Sequence, residues 1–485
     1  MARIVVLGAG ISGHTAALLL RRSLPSLHEV VVVSPNRRWN WIPSNIWVGV
    51  GLLKKEDVTF ELAPVYEKVG IAFKQARALE IHPEGDRDSP RPFVTIEGTA
   101  PGEDGTRENV SYDYLINATG PKLNFAATPG LGPDGHSLSV CTFDHAEKTA
   151  RALAAAAERM RRGERLTFVV GTGHGLCTCE GAAFEYVFNL DHELRRAGVR
   201  DKARVVFLTN EAELGDFGVD GMTLSHGGYE VPSRIFAESL FVERGVEWIT
   251  GAHVHAVEKG LARYETLDGE TRELAFDFAM LLPPFGGVGL KAFDRTGADI
   301  TSELFAPSQF MKVDADYAPK PYEEWRARDW PKTYEVPRYQ GVFAVGIAFA
   351  PPHPISRPRK SKNGTPIAPS PPRTGMPSGI MGRTVAETIA ARIRKGSDAP
   401  ARSASLGEIG AACVASAGAG LWRGSAVSMT MYPVVPDYKR FPGFGRDPRF
   451  TFGEIGVAGH WIKVLLHFMF MYKAKALPGW WLIPE

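Results

Sequence analysis

The chain has 485 residues, 44% of them hydrophobic and 23% charged, which is enough for two or three domains of ordinary globular composition. A formal net charge of +2 leaves no electrostatic footprint for nucleic acid. Four cysteines are too few for a disulfide scaffold. These four, Cys141, Cys177, Cys179 and Cys413, form no C-x-x-C pair and have no histidine cluster, so no metal site is expected. The N-terminus lacks a basic leader and a cleavage site and reads as a strand rather than a signal peptide. No apolar run is long enough to predict a transmembrane helix.

Residues 3–33 form a β-α-β pattern. Residues 4–7, IVVL, are a continuous apolar run, as in a strand buried on both faces. GAGISG follows at 8–13, helical content follows at 15–22, and 30–33 is the next strand. In such a loop Gly8 permits the tight turn, Gly10 lets backbone approach a pyrophosphate, and Gly13 lets helix and strand pack closely. The phosphates would meet the positive end of the helix dipole. Where an acidic residue is expected on the ribose, Ser34 stands instead and supplies a hydroxyl.

Residues 112–120, YDYLINATG, read as a strand ending at Thr119 and Gly120, and 341–346, GVFAVG, as another ending at Gly346. These three motifs at these separations resemble the two-dinucleotide-binding flavoproteins, in which a second nucleotide domain interrupts the FAD domain. That resemblance implies FAD held by Gly8, Gly10, Gly13, Ser34, Ala78, Thr119, Gly120, Gly346, Thr374 and Gly375. A second strand, 166–170, leads into GTGHG at 171–175. Here CTCE follows at 177–180, and the next strand, 204–208, ends in Thr209-Asn210 with no acid for a ribose. NADH is therefore not expected in this loop.

CEGAAFEY at 179–186 resembles the C-x-G-x-A-x-E-[YF] segment of sulfide:quinone oxidoreductases. SVCT at 139–142 is similar to that family's first cysteine motif, LPPFGG at 282–287 to its interdomain turn, and GIAFAPP at 346–352 to its strand ending. RTGM at 373–376 resembles its Lys-Thr-Gly motif, with Arg for Lys, and Cys413 lies where the family carries its last cysteine. The resemblance runs from about residue 2 to about 475. Residues 318–336 and the Pro-, Lys- and Ser-rich 353–372 depart from the pattern, as in a less typical branch. Asp216, in GDFG at 215–218, aligns with a histidine linked to activity in relatives.

The resemblance implies a sulfur relay. Cys179 and Cys413 would bridge on one face of the isoalloxazine, hydrosulfide would open the bridge, and a released thiolate would pass electrons to the flavin. The thiolate is the nucleophile, so its pKa must be lowered, and a helix starting just after Gly175 would do that. Glu185 reads as a proton relay or as a helix-face salt bridge. Cys141 would hold the departing sulfur chain, attach the flavin covalently, or be structural. Cys177 reads as packing, with sulfur shuttling as the alternative.

Residues 455–483 place Trp461, Val464, Leu465, Phe468, Met469 and Tyr472 at helical spacing. His460, Lys463 and His467 make a narrow polar stripe. Lys473 and Lys475 close the helix before Trp480 and Trp481, as suits a lipid interface with lysines snorkelling to headgroups. The bland alternative is a buried helix or an oligomer contact. Phe452 and Phe468 are candidate clamps on a quinone ring.

The expectation is an α/β protein with two Rossmann-like dinucleotide-binding domains and a C-terminal amphipathic helical membrane-anchoring region. The FAD domain would be 1–125 and 290–395, the second domain 126–289, and the quinone-site and anchor region 396–485. The expected partners are sulfide, a membrane quinone and the membrane surface, with no nucleic acid and a homo-oligomer left open. The expected place is peripheral (monotopic) on a membrane, the side undetermined. The rival functions are a type II NADH:quinone oxidoreductase, a flavocytochrome-type sulfide dehydrogenase subunit, and a flavin-bearing scaffold or redox sensor.

Overall fold

The computed structural model describes residues 1–178, 180–372, 375–418 and 425–485. The elements that position the site are, in chain order, β1 (Arg3–Leu7), α1 (Ile11–Ser23), β2 (Glu29–Ser34), β3 (Ala72–His82), β4 (Tyr114–Asn117), α2 (Phe143–Arg161), β5 (Leu166–Thr172), α3 (Glu180–Arg196) and β6 (Ala203–Leu208). There follow β7 (Glu247–Ile249), β8 (Phe278–Leu282), β9 (Val342–Ala344), α4 (Gly375–Lys395), β10 (Ala411–Ser416), β11 (Ala426–Met431), β12 (Phe452–Gly456) and α5 (Val457–Ala474).

The first sheet runs β9-β4-β1-β2-β3, all parallel, and is extended by antiparallel strands Phe93–Gly98 and Arg107–Ser111. Ile4, Val5, Val6 and Leu7 are fully buried, because helices cover both faces of such a sheet and every side chain must be apolar. Chain order reverses at β1, whose neighbours β2 and β4 lie on opposite sides. Nucleotides bind outside the carboxyl ends of strands at such a switch point.

The second sheet, β7-β6-β5-β8, is also parallel. A third sheet joins β10, β11 and β12 to the hairpin Thr223–His226 and Tyr229–Pro232. It ties the C-terminal part to the loop beyond β6 and carries Cys413. The fold is thus α/β with two dinucleotide-binding sheets.

Several boundaries differ from the sequence-based expectation. Helix α1 begins at Ile11, inside the glycine motif, rather than at 15. The helix expected just after Gly175 is described only from Glu180. Residues 318–336 and 353–372 pack on each other: Trp330 Nε1 donates to His353 Nε2 at 2.7 Å, and Trp325 stacks on the same ring at 4.4 Å between centroids.

The largest departure is in the lysines of α5. Its polar stripe points inward, with His460, Lys463 and His467 4–8% exposed. Its apolar side points outward, with Trp461, Leu465 and Phe468 41–65% exposed. Lys473 does not snorkel. It is buried and paired with Glu485 at 2.6 Å, since an ammonium held in the interior needs a counter-charge. Trp480 is buried, and Trp481 is exposed under the Arg22 guanidinium. Among the described residues no helix is long and apolar enough to cross a membrane.

Candidate functional site

The loop after β1 has closed glycines on either side of an open one. Gly8 adopts φ +95°, and a Cβ there would run into the Ala118 carbonyl. A Cβ on Gly13 would collide with the Gly8 carbonyl, and one on Gly10 would meet nothing within 4 Å. Gly10 is also the N-cap of α1, with no side chain capping it and no acid in the first turn. The first N–H groups of α1 are thus free for an anion.

The other cofactor candidates divide by place. Gly346 has φ +66° and closes against Ser12, and Gly375, at the head of α4, has its Cβ position 3.5 Å from Ile11. Thr119 Oγ1 donates to Asn117 Oδ1 at 2.8 Å, and Gly120 (φ +71°) is open. The fold therefore gathers Gly8, Gly10, Gly13, Gly346 and Gly375 around one end of α1, with Thr119 and Gly120 just beyond the neighbouring strand β4. Ser34 ends β2, buried, its hydroxyl within hydrogen-bond range of the Asn36 backbone. Ala78 is half-buried on β3, three residues beyond Gln75, the strand partner of Ser34. Thr374 lies outside the described residues. The open cradle at Gly10 fits a dinucleotide.

The loop after β5 is filled by the chain itself. A Cβ on Gly173 would enter the Leu131 side chain, and one on Gly175 would meet the Pro366 carbonyl oxygen at 2.6 Å and His253 Nδ1 at 2.7 Å. The Ala368 and Ser370 N–H groups donate to the carbonyls of Gly175 and Cys177 at 2.9 and 2.8 Å. Asn210 Nδ2 donates to the same two carbonyls at 3.2 Å. Residues 366–370 thus pack along the backbone of this loop.

Beside that loop lie the cysteines expected to handle sulfur. Cys179 lies outside the described residues; among the described residues Cys141, Cys177 and Cys413 form no disulfide with one another. Cys413, on β10, has its Sγ 3.8 Å from the Cβ position of Gly181 in the first turn of α3. Three residues along β10, Ser416 donates through its N–H (3.0 Å) and Oγ (2.7 Å) to Glu185 Oε1. Glu185 Oε2 accepts from Lys463 Nζ of α5 at 3.0 Å, with both side chains about nine-tenths buried. For Glu185 the sequence allows a proton relay or a helix-face salt bridge; the observed group is a buried ion pair whose partner, Lys463, belongs to the narrow polar stripe of α5. Burial first, then the Glu185 carboxylate, push the Cys413 thiol up to about 11, with Lys463 opposing.

Cys141 is half-buried just before α2; its N–H donates to Ser139 Oγ at 3.1 Å, and burial raises its thiol to about 11. Cys177 is fully buried, and its Sγ donates to the Leu282 carbonyl at 3.1 Å. That bond fits a packing role.

Phe468 is 65% and Phe452 38% exposed, and they make no ring contact with each other among the described residues. The sequence reading missed a different aromatic group. Phe470 of α5 stacks on Trp41 at 4.8 Å, and Trp39 stacks behind it at 6.0 Å. These rings line a cleft with Ile11, Gly375 and Gly379. Trp39 and Trp41 carried no motif, and only the chain folding back from α5 to α1 reveals them.

Comparison with known proteins agrees with this geometry. The pattern of the family "pyridine nucleotide-disulphide oxidoreductase" matches residues 2–282. A sulfide-quinone reductase of Aquifex aeolicus is 28% identical over 97% of this chain and 91% of that protein. The X-ray structure of the sulfide:quinone oxidoreductase from the same organism superposes with a TM-score of 0.76 at 27% identity, covering 98% of this chain and 92% of that one. A mitochondrial sulfide:quinone oxidoreductase of Dictyostelium discoideum is 26% identical over 59% of this chain and 56% of that protein. The structure of NDH2 from Plasmodium falciparum in complex with NADH shares the fold, with a TM-score of 0.64 at 13% identity, covering 98% of this chain and 96% of that one. With an open cradle at Gly10, a family pattern over more than half its length and relatives along nearly all of it, this chain belongs to the pyridine nucleotide-disulphide oxidoreductase family and is an FAD-dependent oxidoreductase.

Proposed function

We propose that the protein oxidises sulfide to polysulfide or sulfur and passes the electrons to a membrane quinone. The observation that carries this reading is the exchange at the second glycine loop. The space for a pyridine nucleotide is taken by Leu131, Pro366 and His253, while a cysteine strand packs against the helix that follows. A type II NADH:quinone oxidoreductase needs that space open. A flavocytochrome-type subunit has no need of the apolar outward face of α5.

FAD, when bound, supplies the two-electron acceptor. Gly8, Gly10 and Gly13 with the N-terminus of α1 would hold its pyrophosphate, and Gly346 and Gly375 would approach from β9 and α4. The FAD part would be 1–125 with 290–395, the sulfur-site domain 126–289, and the anchor region 396–485. Cys179 and Cys413 form the relay. Hydrosulfide attacks one sulfur of their bridge, a new S–S bond forms there, and the electron pair leaves on the other sulfur. Buried Cys413 resists ionisation, so Lys463 matters: its ammonium is the cation beside a site that gains negative charge when the bridge opens. Glu185 keeps that ammonium in place and fixes β10 through Ser416. Cys141 stands by to carry sulfur.

The membrane surface is met by the outward face of α5, through Trp461, Leu465 and Phe468. The quinone ring is assigned to the exposed Phe452 and Phe468, at the edge of the lipid-facing surface. The test is anaerobic. Sulfide added to the purified flavoprotein bleaches the flavin and a quinone restores it, while NADH leaves the spectrum unchanged. Bleaching by NADH and not by sulfide overturns the reading.

A further inference from the structure

Just behind the cysteine segment is a group of buried acids that this mechanism does not use. Glu180, the first described residue of α3, is fully buried, and among the described residues its carboxylate oxygens make no hydrogen bond of good geometry, although Asn210 lies near enough to favour the ionised form. Glu211, in the loop after β6, is 1% exposed; it accepts from Thr209 Oγ1 and from the Phe217 N–H, each at 2.8 Å. Asp216 accepts from the Gly218 N–H at 3.0 Å and from Ser356 Oγ of the 353–372 stretch. The same backbone joins them: the Cβ position of Gly218 is 3.6 Å from Glu180 Oε2 and 2.8 Å from the Ser370 carbonyl oxygen, which closes the group from above.

Three carboxyl groups in an apolar interior cannot all be ionised. Among the described residues the other charged or titratable neighbours are Cys177, which precedes the group on the chain, Asp220 and Tyr322, and Arg446, whose guanidinium interacts with Asp216. The Arg446 guanidinium donates to the carbonyls of Pro433, Val219, Gly221 and Val434. Burial, then the charges of Glu211 and Asp216, hold Glu180 far above the usual carboxylate range. Burial and then Asp216 raise Glu211 to about 8. Near neutral pH Glu180 carries a proton, and Glu211 is the member poised to exchange one.

We propose that Glu180, Glu211 and Asp216 form an internal proton relay serving the cysteine site, with Glu180 as the shared-proton residue. The proposal rests on the sulfide reading. When hydrosulfide opens the bridge, the new S–S bond leaves a persulfide S–H. The released thiolate then joins that sulfur in a second S–S bond as two electrons leave for the acceptor already named, and the persulfide proton must go elsewhere. Glu180 takes it and hands its own to ionised Glu211, so no net charge is added beside Cys177. Ser356 and Ser370, from the stretch that departs from the family pattern, close the relay to water.

The test has a spectroscopic and a kinetic arm. Infrared spectra of the oxidised protein at pH 10, where Glu211 is ionised, should show a protonated-carboxyl band that shifts in D2O and is lost in Glu180→Gln. In Glu180→Gln, sulfide-driven flavin reduction should fall about 100-fold, with FAD content unchanged. Wild-type flavin reduction should gain rate as Glu211 ionises, around pH 8. Asp216→Asn removes a negative neighbour, so Glu211 ionises more easily and the inflection moves to lower pH. Should Glu180→Gln not fold, Glu211→Gln carries the same arms and should abolish that inflection. An unchanged band with superimposable pH profiles in all variants overturns the relay. Failure of sulfide to bleach the wild-type flavin overturns the sulfide reading instead, and the infrared band still decides whether Glu180 holds a proton.

Discussion

The loops after β1 and β5 begin alike, with an apolar strand running into glycines, and end as opposites. Gly10 has no atom within 4 Å of its Cβ position, whereas Gly175 has the Pro366 carbonyl and His253 there. Both are close-approach glycines. In the first loop the open space is where FAD is proposed to approach; in the second the protein itself fills it. A glycine motif therefore reports that something comes near the backbone, and only the surrounding structure says what.

The largest effect expected on either side of this comparison is chemical. Cys413→Ser should lower sulfide-driven flavin reduction by at least about a thousandfold and leave FAD content and NADH inertness as they are. Stopped-flow absorbance reads both, and near-wild-type reduction would remove the sulfur site from the filled loop. Next is Lys463→Met. It strips the cation from buried Glu185, and breaking such a pair costs about 3–5 kcal/mol. Denaturant unfolding should show that loss, and a Glu185→Gln partner change should recover part of it. Full stability in the single variant would mean the pair is not buried as described.

The two glycines give the sharpest contrast. Gly175→Ala pushes a methyl group into Pro366 and His253, which costs about 1–3 kcal/mol, with FAD retained. Gly10→Val meets no protein atom, so the fold should hold while FAD affinity drops at least about tenfold. Thermal unfolding with flavin fluorescence separates the outcomes. If Gly175→Ala were as stable as wild type, the second loop would be roomier than the geometry says.

Much of the first loop was legible in the sequence, because Gly8, Gly10 and Gly13 act through backbone conformation and contacts a few residues away. The absence of an acid at Thr209-Asn210, where β6 ends, also argued against NADH. The plug did not show: Leu131, His253 and Pro366 converge from three distant segments, and nothing local marks any of them. Glu185 was legible as a motif residue, but its partner, Lys463 of the narrow polar stripe, lies 278 positions on. Helical periodicity gave the two faces of α5 correctly and could not say which one turns inward. The hydrophobic effect alone would bury the apolar side, and the buried ion pair with the His467–Ser44 hydrogen bond (2.9 Å) reverses it.

That reversal yields the change with the least effect on the fold. Leu465 and Phe468 are 56% and 65% exposed, so replacing both with Ser removes little internal packing and should shift stability by no more than about 0.5 kcal/mol. Their loss should nonetheless weaken attachment to lipid. Each apolar side chain is worth roughly 1.5–3 kcal/mol on full burial, so even partial immersion makes the pair worth at least about a tenfold change in vesicle partition. Flotation with vesicles reads this directly. Lys463→Met, five residues before Phe468 on the same helix, should do the reverse and destabilise the fold while flotation persists. If the double Ser variant floats like wild type, the outward face meets something other than a membrane. The inward stripe would still need its partners, because Lys463 and His467 are held by Glu185 and Ser44 whatever covers the other side.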